Sequence, residues 1–212
     1  MSGSDRALLA RPQLTPRGRA IRAAALTLFA ERGYEATTTT EIGAAVGIRG
    51  PSLYKHVSSK QDLLAAIMLE VMDDLHDVHA LAVAGVDDVA DRLRRAVEAH
   101  VRFHTRRRLE AFVGNREIRS LNEANRAAVV DRRSSYERLF RGIVEEGVAA
   151  SRFHVASVKL ASYALLDLGM GVAAWYREDG DLSEDEIVYT YGRFALTLVG
   201  VAGVAGVAGV AG

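Results

Sequence analysis

Apolar positions along this chain recur every three to four residues, and a period of two never persists for the length of a strand. The pattern is therefore that of an all-α protein. Ile21, Ala24, Ala25, Leu28 and Phe29 form the first stripe, with Thr15 placed to cap it, Pro16 to open it and Gly33 to end it as a left-handed cap. This predicts a helix over residues 16 to 32. Thr38 and Glu41 have the spacing of a capping box, and the short stripe Ile42, Ala45 and Val46 behind them stops at Gly47. Gly50 and Pro51 then open a short helix, residues 51 to 57, that turns Leu53 and Val57 inward. Ser58 to Gln61 offer the cap of a longer one lined by Leu64, Ile67, Met68, Val71, Leu75 and Val78.

Behind these, helical stretches are expected over about 86 to 106, 109 to 121, 123 to 150 and 155 to 177. A second capping box, Ser183 with Glu186, starts a last helix running to about 199. The expectation is about nine helices. They divide into a flexible basic arm (1 to 14), a head (15 to 60), a larger body (61 to 199) and a low-complexity tail (200 to 212). That tail reads VGVAGVAGVAGVAG from Val199, with glycine at every third position. It is a poor helix former and, weakly apolar and without basic or aromatic flanks on its far side, a poor membrane anchor.

Composition narrows the functions available. With 212 residues, 49% of them hydrophobic, the chain can bury a real core. The absence of cysteine excludes disulfides, thiolate catalysis and Cys-ligated zinc. The apolar run Ala7 to Ala10 is too short for a signal-peptide core, so export is not expected and a cytoplasmic location fits. Net charge is zero, yet residues 1 to 60 hold nine Lys/Arg against four Asp/Glu, a net of +5 balanced by −5 in the remainder. A basic end on an otherwise acidic chain points to a polyanion partner.

Residues 38 to 57 supply the chemistry for such a partner. A capped helix, a turn around Gly47, Ile48, Arg49 and Gly50, and a second short helix have the anatomy of a helix-turn-helix, whose second helix enters the DNA major groove. With Leu53 and Val57 inward, Ser52, Lys55 and His56 are left outward with Tyr54 beside them, all groups that bond phosphate oxygens and base edges. The whole stretch GYEATTTTEIGAAVGIRGPSLYKHVSSKQDLL, residues 33 to 64, resembles the DNA-binding domain of the TetR family of bacterial transcriptional regulators. The resemblance implies double-stranded DNA as a partner and places Thr37, Thr38, Arg49, Ser52, Tyr54, Lys55, His56 and Lys60 at DNA-contacting positions. Tyr54 and Lys60 would chiefly hold phosphate, and Arg49, Ser52 and His56 would face base edges. Two departures stand out: Arg49 where a small hydroxyl residue is usual, and Val57 where an aromatic is typical. Arg6, Arg11, Arg17 and Arg19 are candidates for reaching adjacent phosphates or the minor groove.

Residues 85 to 200 are similar to the ligand-binding and dimerisation domain of the same family, most of all its acyl-CoA-responsive members, through REIRSLNEANR, GIVEEGVAASRFHV and LGMGVAAWYREDGDLSEDEI. The resemblance implies a homodimer formed through the last two helices and a small-molecule effector, an acyl-CoA or another apolar ligand. Met72, Phe103, Phe112, Tyr136, Phe140, Met170 and Trp175 would line its pocket, with Arg116, Arg119 and Arg177 meeting nucleotide phosphates. Gly169 to Ala174 matches a dinucleotide fingerprint but follows no strand, so small residues for close helix contact explain it better. His100 and His104, four apart, and His76 and His79, three apart, have ligand-competent spacing without a demonstrable second pair, so no metal is expected. No nucleophile with an evident base occurs and no cofactor motif stands, so the chain reads as a regulator and not an enzyme. The competing reading is a small-molecule-binding helical protein or enzyme that keeps the front motif without its DNA function.

Overall fold

The computed structural model describes residues 15–48 and 50–201, and among them every regular element is helical. The order is α1 (Pro16–Arg32), α2 (Thr39–Ala45), α3 (Gly50–Leu53), α4 (Lys60–Val83), α5 (Val89–Arg106) and α6 (Arg108–Glu117). A 3₁₀ turn (Ile118–Ser120) leads to α7 (Glu123–Ala149), α8 (Val158–Trp175) and α9 (Glu184–Leu198). Arg49, residues 1 to 14 and all but the first two residues of the tail lie outside the described residues.

Local chemistry sets most helix starts. Thr15, Ser59, Asp88, Asn122 and Ser157 each accept a bond from the backbone N–H three residues on. Thr38 with Glu41 and Ser183 with Glu186 complete both anticipated capping boxes. At the end of α2, Gly47 takes φ 69°, its N–H donates to the Ala44 carbonyl at 3.0 Å, and the Ile48 N–H donates to the Gly43 carbonyl at 2.9 Å. These two bonds form a Schellman closure, which fixes the turn of the helix-turn-helix. Gly33 departs from the expected left-handed cap. Its φ of 85° is positive, but ψ of 158° puts it in an extended region open essentially to glycine alone.

Two elements are shorter than their periodicity predicts. The helix expected over 51 to 57 is regular only for Gly50–Leu53, after which the Lys55 and His56 N–H groups bond back three residues and the chain swings out to the Ser59 cap. The helix expected to 121 stops at Glu117, where the Ser120 hydroxyl donates to Glu117 Oε2 and Gln61 Nε2 donates to the Ser120 carbonyl.

The helices pack into two cores. Ile21, Phe29, Ile42 and Leu53 from α1 to α3 close on Leu63, Leu64 and Met68 of α4, and also on Val113 of α6. Met72 and Leu75, farther along α4, belong with α5, α7, α8 and α9 in the second core. α4 therefore contributes to both cores, and so does α7, whose Val129 lies in the first while Tyr136 and Phe140 lie in the second. Within the body, α9 lies chiefly against α5, where Arg106 and Arg102 pair with Glu184 and Asp185 at its start.

Candidate nucleic-acid interface and ligand cavity

On the head, the structure divides the sequence-named residues into those that present groups and those that brace the backbone. Thr37 is fully buried, and its hydroxyl donates to the Gly33 carbonyl at 2.8 Å and approaches the Leu28 carbonyl at 3.3 Å. It staples the loop between α1 and α2 and cannot reach DNA. Lys60 donates from Nζ to the carbonyls of Tyr34 at 2.9 Å and Thr37 at 2.8 Å, with Nζ 4.1 Å from the centre of the Tyr34 ring. Tyr34 in turn packs on Phe29. Most of the Lys60 donor capacity is thus spent holding the same loop. Thr38 is the exposed N-cap of α2, Ser52 is partly buried, and Tyr54, Lys55 and His56 are exposed together just after α3.

Tyr54 Oη lies 3.2 Å from Thr39 Oγ1, which joins the start of α2 to the residues after α3. Thr39 was not anticipated, although a signal existed: once Thr38 is the N-cap, Thr39 and Thr40 must open the first turn beside it. Arg17, a candidate for phosphate, donates Nη1 to the Val46 carbonyl at 2.8 Å and so covers an open carbonyl at the end of α2. Arg6 and Arg11 lie outside the described residues, as does Arg49.

In the body, a cavity of about 430 Å³, partly open to solvent, is lined by α4, α5, α6, α7 and α8. Met68, Val71, Met72, Leu75, Val129 and Leu166 supply much of an apolar lining, on which, tyrosines aside, the ionisable groups are His100, His104, Arg133 and the acids Glu110, Glu137 and Asp167. Met72, Tyr136 and Met170, three of the ligand residues inferred from sequence, are on its wall. Phe140 is buried behind it, against the rings of His79, His100 and Tyr136. The others are elsewhere. Phe103 sits on an outer groove of α5, and Phe112 is half exposed beneath the guanidinium of Arg116, because α6 turns Ala111, Gly114 and Asn115 inward. Arg119 is exposed on the 3₁₀ turn, Trp175 is exposed at the end of α8, and Arg177 pairs with Asp179 at 3.2 Å.

The histidines form a wired cluster. His100 Nε2 faces the Leu166 carbonyl at 3.1 Å, which can only accept, so this nitrogen carries the proton and Nδ1 accepts from the Tyr136 hydroxyl at 3.0 Å. By the same logic His104 donates Nδ1–H to the His100 carbonyl at 2.9 Å, leaving Nε2 as an acceptor. Burial, reinforced at His100 by its neighbour His104, holds both imidazoles below their ordinary pKa and keeps them neutral, while burial raises that of Tyr136. The spacing of His100 and His104 thus serves a hydrogen-bond network. No group of three or more metal-ligating side chains occurs among the described residues. Gly169 makes the network possible: a Cβ there would stand 2.1 Å from the His100 ring, whereas Gly171 meets nothing within 4 Å. Close helix contact, suggested for both glycines, applies to the first.

Arg133 escaped the sequence reading, yet it had a signature. Val129, Arg133, Tyr136 and Phe140 stand at helical spacing on one stripe of α7, which puts a guanidinium on the inward face among apolar side chains.

The comparison with known proteins follows this division of the chain. Residues 21–67 match the profile of the bacterial regulatory proteins of the tetR family, and residues 86–199 that of the tetracyclin repressor-like C-terminal domain. The chain belongs to the TetR family of transcriptional regulators. It is 31% identical over 188 residues to the HTH-type transcriptional repressor KstR2 of Rhodococcus jostii strain RHA1, a span covering 84% of this chain and 87% of that protein. A tetR-family regulatory protein from Rhodococcus RHA1 superposes with a TM-score of 0.83 at 34% identity, over 89% of this chain and 99% of the other. AibR, solved in complex with isovaleryl coenzyme A and operator DNA, superposes at 0.77 with 25% identity, over 84% and 97%. This TetR-family chain is accordingly a DNA-binding transcriptional regulator, and relatives that are themselves named repressors speak against a repurposed enzyme with an idle head. No helix among the described residues is long and apolar enough to cross a membrane.

Proposed function

We propose that the protein is a cytoplasmic homodimeric repressor that leaves a pseudo-palindromic operator when a small apolar molecule, with acyl-CoA thioesters as first candidates, enters the body cavity. The supporting observation is the position of α6. Val113 of this helix is buried in the head core, while Ala111, Gly114 and Asn115 of the same helix wall the cavity. A ligand that fits better with one placement of α6 than another changes the placement of the heads, and only that difference in affinity can shift DNA binding.

Dimerisation through α8 and α9 is supported by the apolar side chains these helices leave in solvent: Leu160, Tyr163, Met170 and Trp175 on one, Tyr189 and Phe194 on the other. So much exposed apolar surface on two adjacent elements calls for a partner, and a two-fold copy is the simplest. Two heads related by that axis would read two half-sites about one helical turn apart. Thr38, Ser52, Tyr54, Lys55 and His56 are the contacts we assign to each half-site, with Thr39 added; Lys60 and Thr37 position the loop behind them.

The deciding experiment is an anisotropy titration of the protein on duplex from its own promoter region, with and without an acyl-CoA series, alongside sedimentation. A dimer whose affinity for that duplex exceeds that for random duplex, and falls when one thioester is added, is the expected result. A monomer at micromolar concentration with no preference for any duplex refutes the proposal.

A further inference from the structure

Resting on the reading of the body cavity as an effector site, and favouring within it a free acid over its coenzyme A thioester, we infer that the effector carries a carboxylate on an apolar skeleton and that Arg133 receives it. Arg133 lies on the inward stripe of α7 between Val129 and Tyr136, both buried, and forms part of the cavity wall. Its one hydrogen bond among the described residues runs from Nη2 to the Gly114 carbonyl at 2.9 Å, a neutral acceptor. A guanidinium offers five donors in a planar fork matched to a carboxylate, so most of its capacity is unspent.

The cavity's own acids do not supply that carboxylate. Glu110 is held by Arg107 at 2.9 Å, Glu137 is chelated by Arg141 and bonded by Ser162, and Asp167 lies exposed on α8. No ion pair of Arg133 occurs among the described residues, and burial is what disfavours its charge. A cation held in an apolar wall without a counter-charge destabilises the empty protein, and an anionic ligand relieves this. Against the apolar lining, such a pair is also stronger than in water.

The volume, about 430 Å³, is toward the lower end for small-molecule pockets. It suits an acid of modest size, while a thioester of coenzyme A would keep its nucleotide outside. Because Arg133 also holds the Gly114 carbonyl, recruiting its guanidinium to a ligand acts directly on α6, the helix shared with the head.

The test is calorimetry on the full-length protein without DNA, using hexanoate, octanoate and decanoate, each paired with its primary alcohol, and decanoyl-CoA. In at least one pair the acid is expected to bind about ten- to a hundredfold more tightly, the worth of a charge-assisted hydrogen bond. Arg133→Met should remove that margin and leave the alcohol's affinity unchanged, and Arg133→Lys should keep part of it. Acids that bind no better than their alcohols, or do not bind at all, overturn the inference. So does decanoyl-CoA binding more tightly than every acid with an affinity that Arg133→Met does not alter. The wild-type pairs and the lysine variant decide the matter should the methionine variant fold poorly. A bound acid that leaves operator affinity unchanged refutes the effector reading but not the carboxylate site.

Discussion

Two glycines on α8, two residues apart, provide a sharp test of the packing argument. At Gly169 an added methyl would stand 2.1 Å from Cδ2 and 2.7 Å from Nε2 of His100, where nonpolar atoms ordinarily settle at about 3.5 to 4 Å. The imidazole would have to retreat by more than about 1 Å. It has no free direction, being bonded on one side to the Tyr136 hydroxyl and on the other to the Leu166 carbonyl, with Phe140 against its face. Overpacking of this kind costs about 1–3 kcal/mol, and straining two buried hydrogen bonds adds about 1 kcal/mol each. Alanine's helix preference returns roughly 1 kcal/mol. Gly169→Ala should therefore lose about 2–4 kcal/mol, or roughly 4–16 °C in Tm for a chain of this size. Gly171→Ala meets nothing and should gain up to about 1 kcal/mol. Thermal unfolding by circular dichroism at one fixed protein concentration reads both, since the proposed dimerisation would make Tm depend on concentration. If Gly169→Ala unfolds at or above the wild-type temperature, the locked His100 network is refuted.

Three further outcomes are expected. His79 is buried with Nε2 unpartnered, and burial, with His76 adding to it, lowers its pKa to about 4. Its contribution to stability is therefore complete above the unfolded value near 6.5 and is lost as pH falls toward 4, at up to about 1.4 kcal/mol per pH unit. His79→Leu should stabilise the protein more at pH 5 than at pH 7.5 in urea titrations, and equal gains at both would contradict the assignment. Thr37→Val removes a hydroxyl that staples the loop, so it should cost about 1 kcal/mol in stability while leaving the salt slope of DNA binding unchanged. Lys55→Ala should do the reverse, lowering that slope by about 0.9 per head with no change in Tm.

The contrast between Thr37 and Lys55 shows where sequence reasoning reaches its limit. Both occupy DNA-contacting positions by resemblance, and nothing within a few residues of either distinguishes them. What separates them is the course of the loop after Gly33, whose positive φ folds the chain back so that the Thr37 hydroxyl meets the Gly33 carbonyl. Lys60 is a similar case, since its role depends on the carbonyls of residues 23 and 26 positions earlier in the chain. In the body, the family resemblance put Met72 and Tyr136 on the pocket, but it equally named Phe112, Arg116 and Trp175, which face out. The choice among aromatic residues depends on the rotation of each helix against its neighbours, and amphipathicity fixes that rotation only where the two faces differ strongly. For Arg133 the signal was present in the stripe of α7, where it stands at helical spacing between the buried Val129 and Tyr136.

By itself, the sequence determined the helices and most of their ends, because caps, capping boxes and the Gly47 closure are decided by groups within four residues of one another. It also determined the basic character of the first sixty residues and, through the head motif, the family. Tertiary structure alone decided that α4 and α7 contribute to both cores, that Gly169 seats against His100, and that the Arg133 guanidinium on the cavity wall has no ion pair among the described residues. Those facts rest on contacts between residues far apart in the chain. They follow from the packing of whole helices, which no short stretch of sequence specifies.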